Sequence, residues 1–281
     1  MNTQHLLMLA ALAYSVGAAF AWAGLRWEAL RRGPWQHLAS ALALLLHTTG
    51  IGYHCAQSSS HFFASTAEML WLLAWTLGIG YVALLVGLGM RTVGVLVLPV
   101  ITTLLVIARF APQTGAPPLE EVASNPWLPV HIASAFLGYG LFLTACAASV
   151  MYLGSHRLLK RKLFGVLFHS LPSLEKLERA ITACSWVGFV IFTLALGTGA
   201  YLAKRKLGEG AWYLEPKTIL TQATWLVFLV LVVGRVSGRM AGRAAAHAVL
   251  VGAALVIATF LVAHPFREEA IQPASRREGA A

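Results

Sequence analysis

Ten histidines and three cysteines are the residues of this 281-residue chain best suited to hold iron or carry electrons. Cys55, Cys146 and Cys184 form neither a CxxC pair nor a CxxCH haem-attachment motif, which argues against a thiol–disulfide relay and against a self-haemylated cytochrome. Cys146 and Cys184 sit inside apolar runs, where cysteine serves as a small packing residue. Histidine is the abundant polar type. His47 and His54 are seven residues apart, so on a helix they share a face but are separated by roughly 10 Å of rise. One haem iron cannot be clamped by both. Axial ligation needs neutral imidazoles from different helices, for example His131 with His264. Ser134, Ala135 and Gly138 follow His131 at helical spacing and let a neighbouring helix or a flat macrocycle come close. The other reading is that these histidines hydrogen-bond between helices, and for any one of them the two readings are evenly balanced.

The elements that must position these side chains are membrane helices. Hydrophobic residues make up 58% of the chain and charged ones 11%, with mean hydropathy +0.71, well outside the balance of a soluble domain. About 20 mostly apolar residues span the hydrocarbon core, and eight stretches qualify. Their cores are Leu6–Leu25, Leu38–His54, Ala67–Gly89, Val93–Phe110, Leu128–Leu153, Ala180–Ala203, Ile219–Gly234 and Ala244–Ala263. The expected fold is therefore all-α, a polytopic helical bundle filling residues 1–281 as one transmembrane domain, with a mobile tail over 265–281. The start "MNTQH" carries no Lys or Arg and its apolar run is too long for a secretion signal, so the first segment reads as a retained helix.

The net charge of +10 brackets these helices and so sets orientation, with no nucleic acid implied. Alternate connections divide the 21 Lys and Arg residues into 13 on one side and 8 on the other. The richer side is expected to be cytoplasmic, which places both termini outside, although "KRK" at Lys204 to Lys206 opposes this. The basic loop "HRLLKRKLFGVLFHSLPSLEKLER" reads as an amphipathic helix on anionic lipid, with Ser173 capping the next span. All eleven acidic residues are Glu, and only Glu68 lies at the edge of a span. Ion-coupled carriers keep carboxylates near the midplane, so a transporter and carboxylate-based hydrolysis are both disfavoured.

Under this topology His47, His54, His131 and His264 gather toward the outer face, and that clustering favours a ligand over simple interhelical bonding. Trp71, Trp75, Trp127, Trp212, Tyr213 and Trp225 surround the same face, and an interfacial belt accounts for most of them. Trp212 and Tyr213 differ, because they precede Glu215-Pro216-Lys217 in a loop that is already polar.

The stretch "WYLEPKTILTQATWLVF" (Trp212–Phe228) resembles the tryptophan-rich signature of cytochrome c assembly proteins of the CcsA, CcmC and HemX type. "PWLPVHIASAFLGYGLF" is similar to the helix before that signature, with its opening histidine and a downstream tyrosine, here Tyr139. "GRMAGRAAAHAVLVGAAL" is similar to the entry of the family's last span, so the resemblance covers residues 65–264, and eight spans suit the CcsA and HemX branches. It implies haem b held at the outer membrane face, with Trp212, Glu215, Pro216, Lys217 and Trp225 as a platform. His131 and His264 would be the iron ligands, with His47 a further candidate, while aromatic faces stack on the porphyrin and Lys217 pairs a propionate. Leu214, Glu215, Thr218 and Val233 stand where the pattern has tryptophan, aspartate, glutamate and histidine. These departures point to the HemX-like branch and to an accessory component rather than a thioether-forming enzyme. The implied partners are haem, a second membrane assembly protein and apocytochrome c, in a bacterial inner membrane. The alternative is a HemX-type regulator or scaffold of haem synthesis, contacting its partner through the loop from Lys160 to Arg179.

Overall fold

The computed structural model describes residues 2–57, 65–111, 125–207 and 212–263. These residues contain no strand and eight long helices: α1 (Thr3–Ala23), α2 (Trp35–Gln57), α3 (Thr66–Leu88), α4 (Gly94–Phe110), α5 (Trp127–Lys160), α6 (Leu174–Leu207), α7 (Pro216–Val236) and α8 (Gly242–Ala263). They fall on the eight expected stretches, and the chain is a multi-pass, all-α membrane protein. Among the described residues seven helices are long and apolar enough to cross a bilayer, one fewer than expected. The exception is α2, whose Gln36, Ser40 and His47 dilute its hydropathy. Those polar residues face inward while Leu38, Leu42 and Leu45 face outward, an inverted polarity that suits a helix packed along α1 with lipid on its other side. The tail over 265–281 lies outside the described residues.

Consecutive helices pair as the hairpins α1/α2, α3/α4, α5/α6 and α7/α8. Polar bonds join the turns of the first three. Gln36 Nε2 donates to Tyr81 Oη and to the Arg91 carbonyl, both at 2.7 Å, and Arg91 Nη1 donates to the Gly33 carbonyl at 2.9 Å. Thr92 Oγ1 donates to the Ser170 carbonyl at 2.7 Å, and Ser170 Oγ to the Leu25 carbonyl at 3.1 Å. The basic loop differs from its expected form. α5 runs on to Lys160, and the separate helix in the loop is a short one of five residues, Val166–Ser170, before α6. At 34 residues each, α5 and α6 are about 51 Å long, well beyond a hydrocarbon core of about 30 Å, so their basic ends project past it. The expected cap is present, with Ser173 Oγ accepting from the Lys176 amide at 3.3 Å.

The two halves of the bundle meet where α3 crosses α5. A side-chain carbon at Gly140 would lie 2.5 Å from Thr76 Oγ1, and one at Gly80 would run into Thr144. Gly140 therefore seats Thr76 and Gly80 seats Thr144, the second contact lying four residues further along both helices, which fixes α3 and α5 in parallel register. Both hydroxyls are satisfied within their own helices, Thr76 on the Leu73 carbonyl and Thr144 on the Gly140 carbonyl. The joint is thus held by close packing alone.

Candidate functional site

At the end opposite the bonded turns, α5 and α7 begin and α6 and α8 finish, and a cavity of about 740 Å³ opens between them. That volume falls inside the roughly 300–1,000 Å³ of cofactor pockets. Its walls are mainly apolar: Ala135, Phe136 and Tyr139 from α5, Phe192 and Leu196 from α6, and Phe260 from α8. Its few polar groups include His131, Lys217, Thr221, Gln222 and Thr259. An aromatic floor closes the inner side. Tyr139 lies 5.2 Å from Phe192, Phe192 lies 5.4 Å from Phe142, and Phe142 stacks on Phe228 at 3.5 Å with the rings 8° apart.

His131 is the polar group whose orientation is best determined. Its Nδ1 lies 2.9 Å from the Ala195 carbonyl, about two turns before Ala203, the last α6 residue to line the cavity. A carbonyl only accepts, so Nδ1 carries the proton and the neutral ring keeps its lone pair on Nε2. Gly199 gives the ring its place, because a side-chain carbon there would lie 2.6 Å from His131 Cε1. Backbone carbonyls of this kind commonly fix the tautomer of a metal-bound imidazole. Ala195 and Gly199 are site residues the sequence reading missed; "LALGTGAY" shows only small residues at helical spacing. Of the small residues after His131, Ala135 lines the cavity, Gly138 receives Phe192 from α6, and Ser134 Oγ donates to the Val130 carbonyl at 2.6 Å. The close approach seen at Gly138 is therefore helix on helix.

The α7 entry supplies the mouth of the cavity. Pro216 occupies the first helical position, where its missing amide hydrogen costs nothing, and the Glu215 carbonyl accepts from the amides of Thr218 and Ile219. Lys217 Nζ pairs with Glu215 Oε2 at 3.0 Å while remaining mostly exposed, and both line the cavity. Trp225, two turns deeper, also lines it, but its indole is committed: Nε1 donates to Thr193 Oγ1 at 2.9 Å and the ring stacks on Phe189 at 5.6 Å. The backbone of Trp212–Leu214 forms one 3-10 turn, and the Trp212 side chain lies outside those described. Val233 is exposed on the outer surface of α7.

The remaining histidines do not join this site. His47 is fully buried between α1, α2 and α3, edge-on to Tyr14 at 6.0 Å, with neither ring nitrogen hydrogen-bonded. It does not line the cavity. His54 sits at the same end of the bundle, but its Nε2 is 2.7 Å from Glu68 Oε1, and Glu68 also completes a capping box with Ser65. His264 lies outside the described residues; α8 ends at Ala263, one turn past the cavity-lining Phe260. Among the described residues no three His, Cys, Asp or Glu side chains gather to hold a bare metal ion. The donor set fits an apolar macrocycle with carboxylates better: one oriented imidazole, aromatic walls and a cation at the mouth.

The family whose sequence profile matches is described as cytochrome C assembly protein, over residues 63–265. Protein HemX of Brevibacillus brevis is 28% identical over 124 residues, 44% of this chain and 45% of that protein. An uncharacterised 28.8 kDa protein of Azospirillum brasilense is 30% identical over 152 residues, 53% of this chain and 56% of its own length. The cytochrome c biogenesis protein CcsA of Guillardia theta is 23% identical over 208 residues, 68% of this chain and 69% of that protein. The chain thus spans about half the length of the first two relatives. No solved structure matches it significantly.

Proposed function

The chain belongs to the cytochrome c assembly protein family, and from that premise we propose that it takes haem b into the cavity between α5 and α8 at the outer face of a bacterial inner membrane. Membership supports a role in cytochrome c biogenesis or a related haem function of the membrane; the site, the cargo and the accessory role are our reading. The observation that carries it is His131, held by the Ala195 carbonyl in the tautomer that leaves Nε2 as a ligand within an apolar cavity. When bound, haem would supply an iron centre and two propionates. His131 would present Nε2, Lys217 would pair a propionate at the mouth, and Tyr139, Phe136 and Phe192 would exclude water. His264 and Trp212 complete the proposed set from either side of α7 and α8, together with Glu215 and Trp225. His47 remains a candidate only through rearrangement of α1–α3. A second assembly protein and apocytochrome c would receive the cargo.

The test is the absorption spectrum of the detergent-purified protein, oxidised and dithionite-reduced, for wild type, His131→Ala and His264→Ala. A Soret band with sharp reduced α and β bands that collapses in either variant is the expected result. A colourless wild type that takes up no added hemin overturns the reading. One feature favours the HemX-type alternative: exposed Leu159, Leu163 and Phe164 stand among the basic residues at the projecting end of the α5/α6 hairpin. Capture of a soluble partner through that end, without haem, would select it.

A further inference from the structure

The helix seams around the cavity are closed in two places and parted in a third. Between α5 and α6, Gly138 receives Phe192 and Gly188 receives Phe142; between α7 and α8, Gly252 receives Phe228. In each case the phenylalanine lies 2.5–2.9 Å from where a glycine side-chain carbon would stand. The seam between α6 and α7 has no such seat among the described residues. Gly197 of α6 lines the cavity, yet nothing lies within 4 Å of the place its side-chain carbon would take. One turn deeper α7 does touch α6, where Trp225 Nε1 donates to Thr193 Oγ1 at 2.9 Å.

α6 runs toward the cavity's end of the bundle and α7 runs away from it. Outward from the Trp225–Thr193 bond, the facing pairs are therefore Gly197 with Gln222, then Ala200 with Thr218. All six residues line the cavity, while Thr193, Gly197 and Gln222 are also exposed on the outside of the bundle. Residues that belong to both surfaces border an opening, so the cavity has a side slot as well as its end mouth. Trp225 lies nine residues into α7, about 13 Å from its start, where Glu215 and Lys217 mark the polar boundary. A hydrocarbon core is about 30 Å thick, so the slot runs from that boundary nearly to the midplane and opens on acyl chains rather than water. Gln222 stands at its edge, and among the described residues its carboxamide makes no hydrogen bond. A polar group facing hydrocarbon is costly, and a passing ligand that carries carboxylates gives it a partner.

We propose that the α6/α7 slot is the entrance through which the cavity takes its ligand sideways out of the leaflet on that side. The ligand's apolar edge travels at acyl-chain depth and its carboxylates at the level of Lys217. This rests on the haem reading for the identity of the ligand alone. Haem suits such a route because it is flat and apolar apart from its two propionates, and it can pass edge-on without leaving the bilayer. The Trp225–Thr193 bond forms the sill, at the depth of Phe192, the neighbouring residue on α6 and part of the aromatic floor.

The experiment is stopped-flow uptake of hemin by the full chain in phosphatidylcholine vesicles, where added hemin dissolves in the bilayer before it binds. Gly197→Trp and Gly197→Leu grow into the open space of the slot, and Leu194→Trp adds an indole at an exposed α6 position outside the cavity lining. The expected result is uptake and release both slowed, at least about fivefold in Gly197→Trp and less in Gly197→Leu, with affinity within about twofold of wild type. Leu194→Trp should behave as wild type. Wild-type rates in Gly197→Trp, or in Gly197→Leu should the indole prevent folding, overturn the entrance. Weaker binding through faster release also overturns it, since Gly197 would then be a wall of the site. A wild type that takes up no hemin overturns the haem reading, and the slot is then read without haem. Phospholipids brominated in mid-chain should quench the fluorescence that Trp225→Phe removes, and quench it less in Gly197→Leu; absence of that quenching overturns the opening to the bilayer.

Discussion

At the scale of single residues, Gly199 carries as much of the proposed site as His131. Gly199→Val would push its side chain into the imidazole and break the bond to the Ala195 carbonyl while leaving every proposed ligand in place. Losing such an orienting contact costs metal affinity by about 10- to 100-fold. Hemin titration of Gly199→Val should show that loss, and an unchanged affinity would mean that His131 orientation is irrelevant to binding. Lys217 behaves differently, because its pair with Glu215 is exposed and surface pairs contribute about 0–1 kcal/mol. Lys217→Ala should leave the melting temperature unaltered and weaken hemin uptake in a salt-dependent way, read by repeating the titration at low and high ionic strength. His131 and Lys217, which line the cavity, stand out in the sequence because their types are rare beside apolar spans. Ala195 and Gly199 do not, since a carbonyl acceptor and a missing side chain leave no chemical signature in a run of alanines and glycines.

At the scale of helices, the eight apolar stretches predict the eight helices closely, because hydropathy reads what lipid selects. What hydropathy cannot read is which face turns inward. His47 looked like an outer-face ligand and is sealed between α1, α2 and α3, while Glu68 looked like a lone edge acid and serves both the α3 cap and His54. The Ser65-x-x-Glu68 spacing is a legible capping signal in the sequence. Ser65→Ala should lower stability by about 1 kcal/mol, the usual cost of a lost cap. Thermal unfolding followed by circular dichroism checks this, and an unaltered midpoint would show that the cap is redundant. The projecting ends of α5 and α6 escaped the sequence reading for a related reason. "SHRLLKR" is polar enough to look like a loop, yet nothing in it breaks a helix.

At the scale of the whole molecule, the bonded turns and the cavity lie at opposite ends, so one end is fixed while the other is open. Orientation follows from charge: the turn end carries the larger share of Lys and Arg and should face the cytoplasm. Single cysteines at exposed Leu163 and Tyr213, in a background with Cys55, Cys146 and Cys184 replaced, test this in intact cells. A membrane-impermeant thiol reagent should label Tyr213→Cys and spare Leu163→Cys; the reverse pattern would place the cavity on the cytoplasmic side.

The glycine–threonine joint between α3 and α5 also bears on how the chain could be divided. The seats at Gly80 and Gly140 are cut to shape by packing, and the joint needs no covalent continuity through residues 112–124 to fix its register. Two polypeptides split within that segment, each carrying four of the helices, therefore have the means to find one another in the bilayer as a complementing pair. Filling either seat, as Gly140→Leu would, should abolish that reassembly before it affects either half alone.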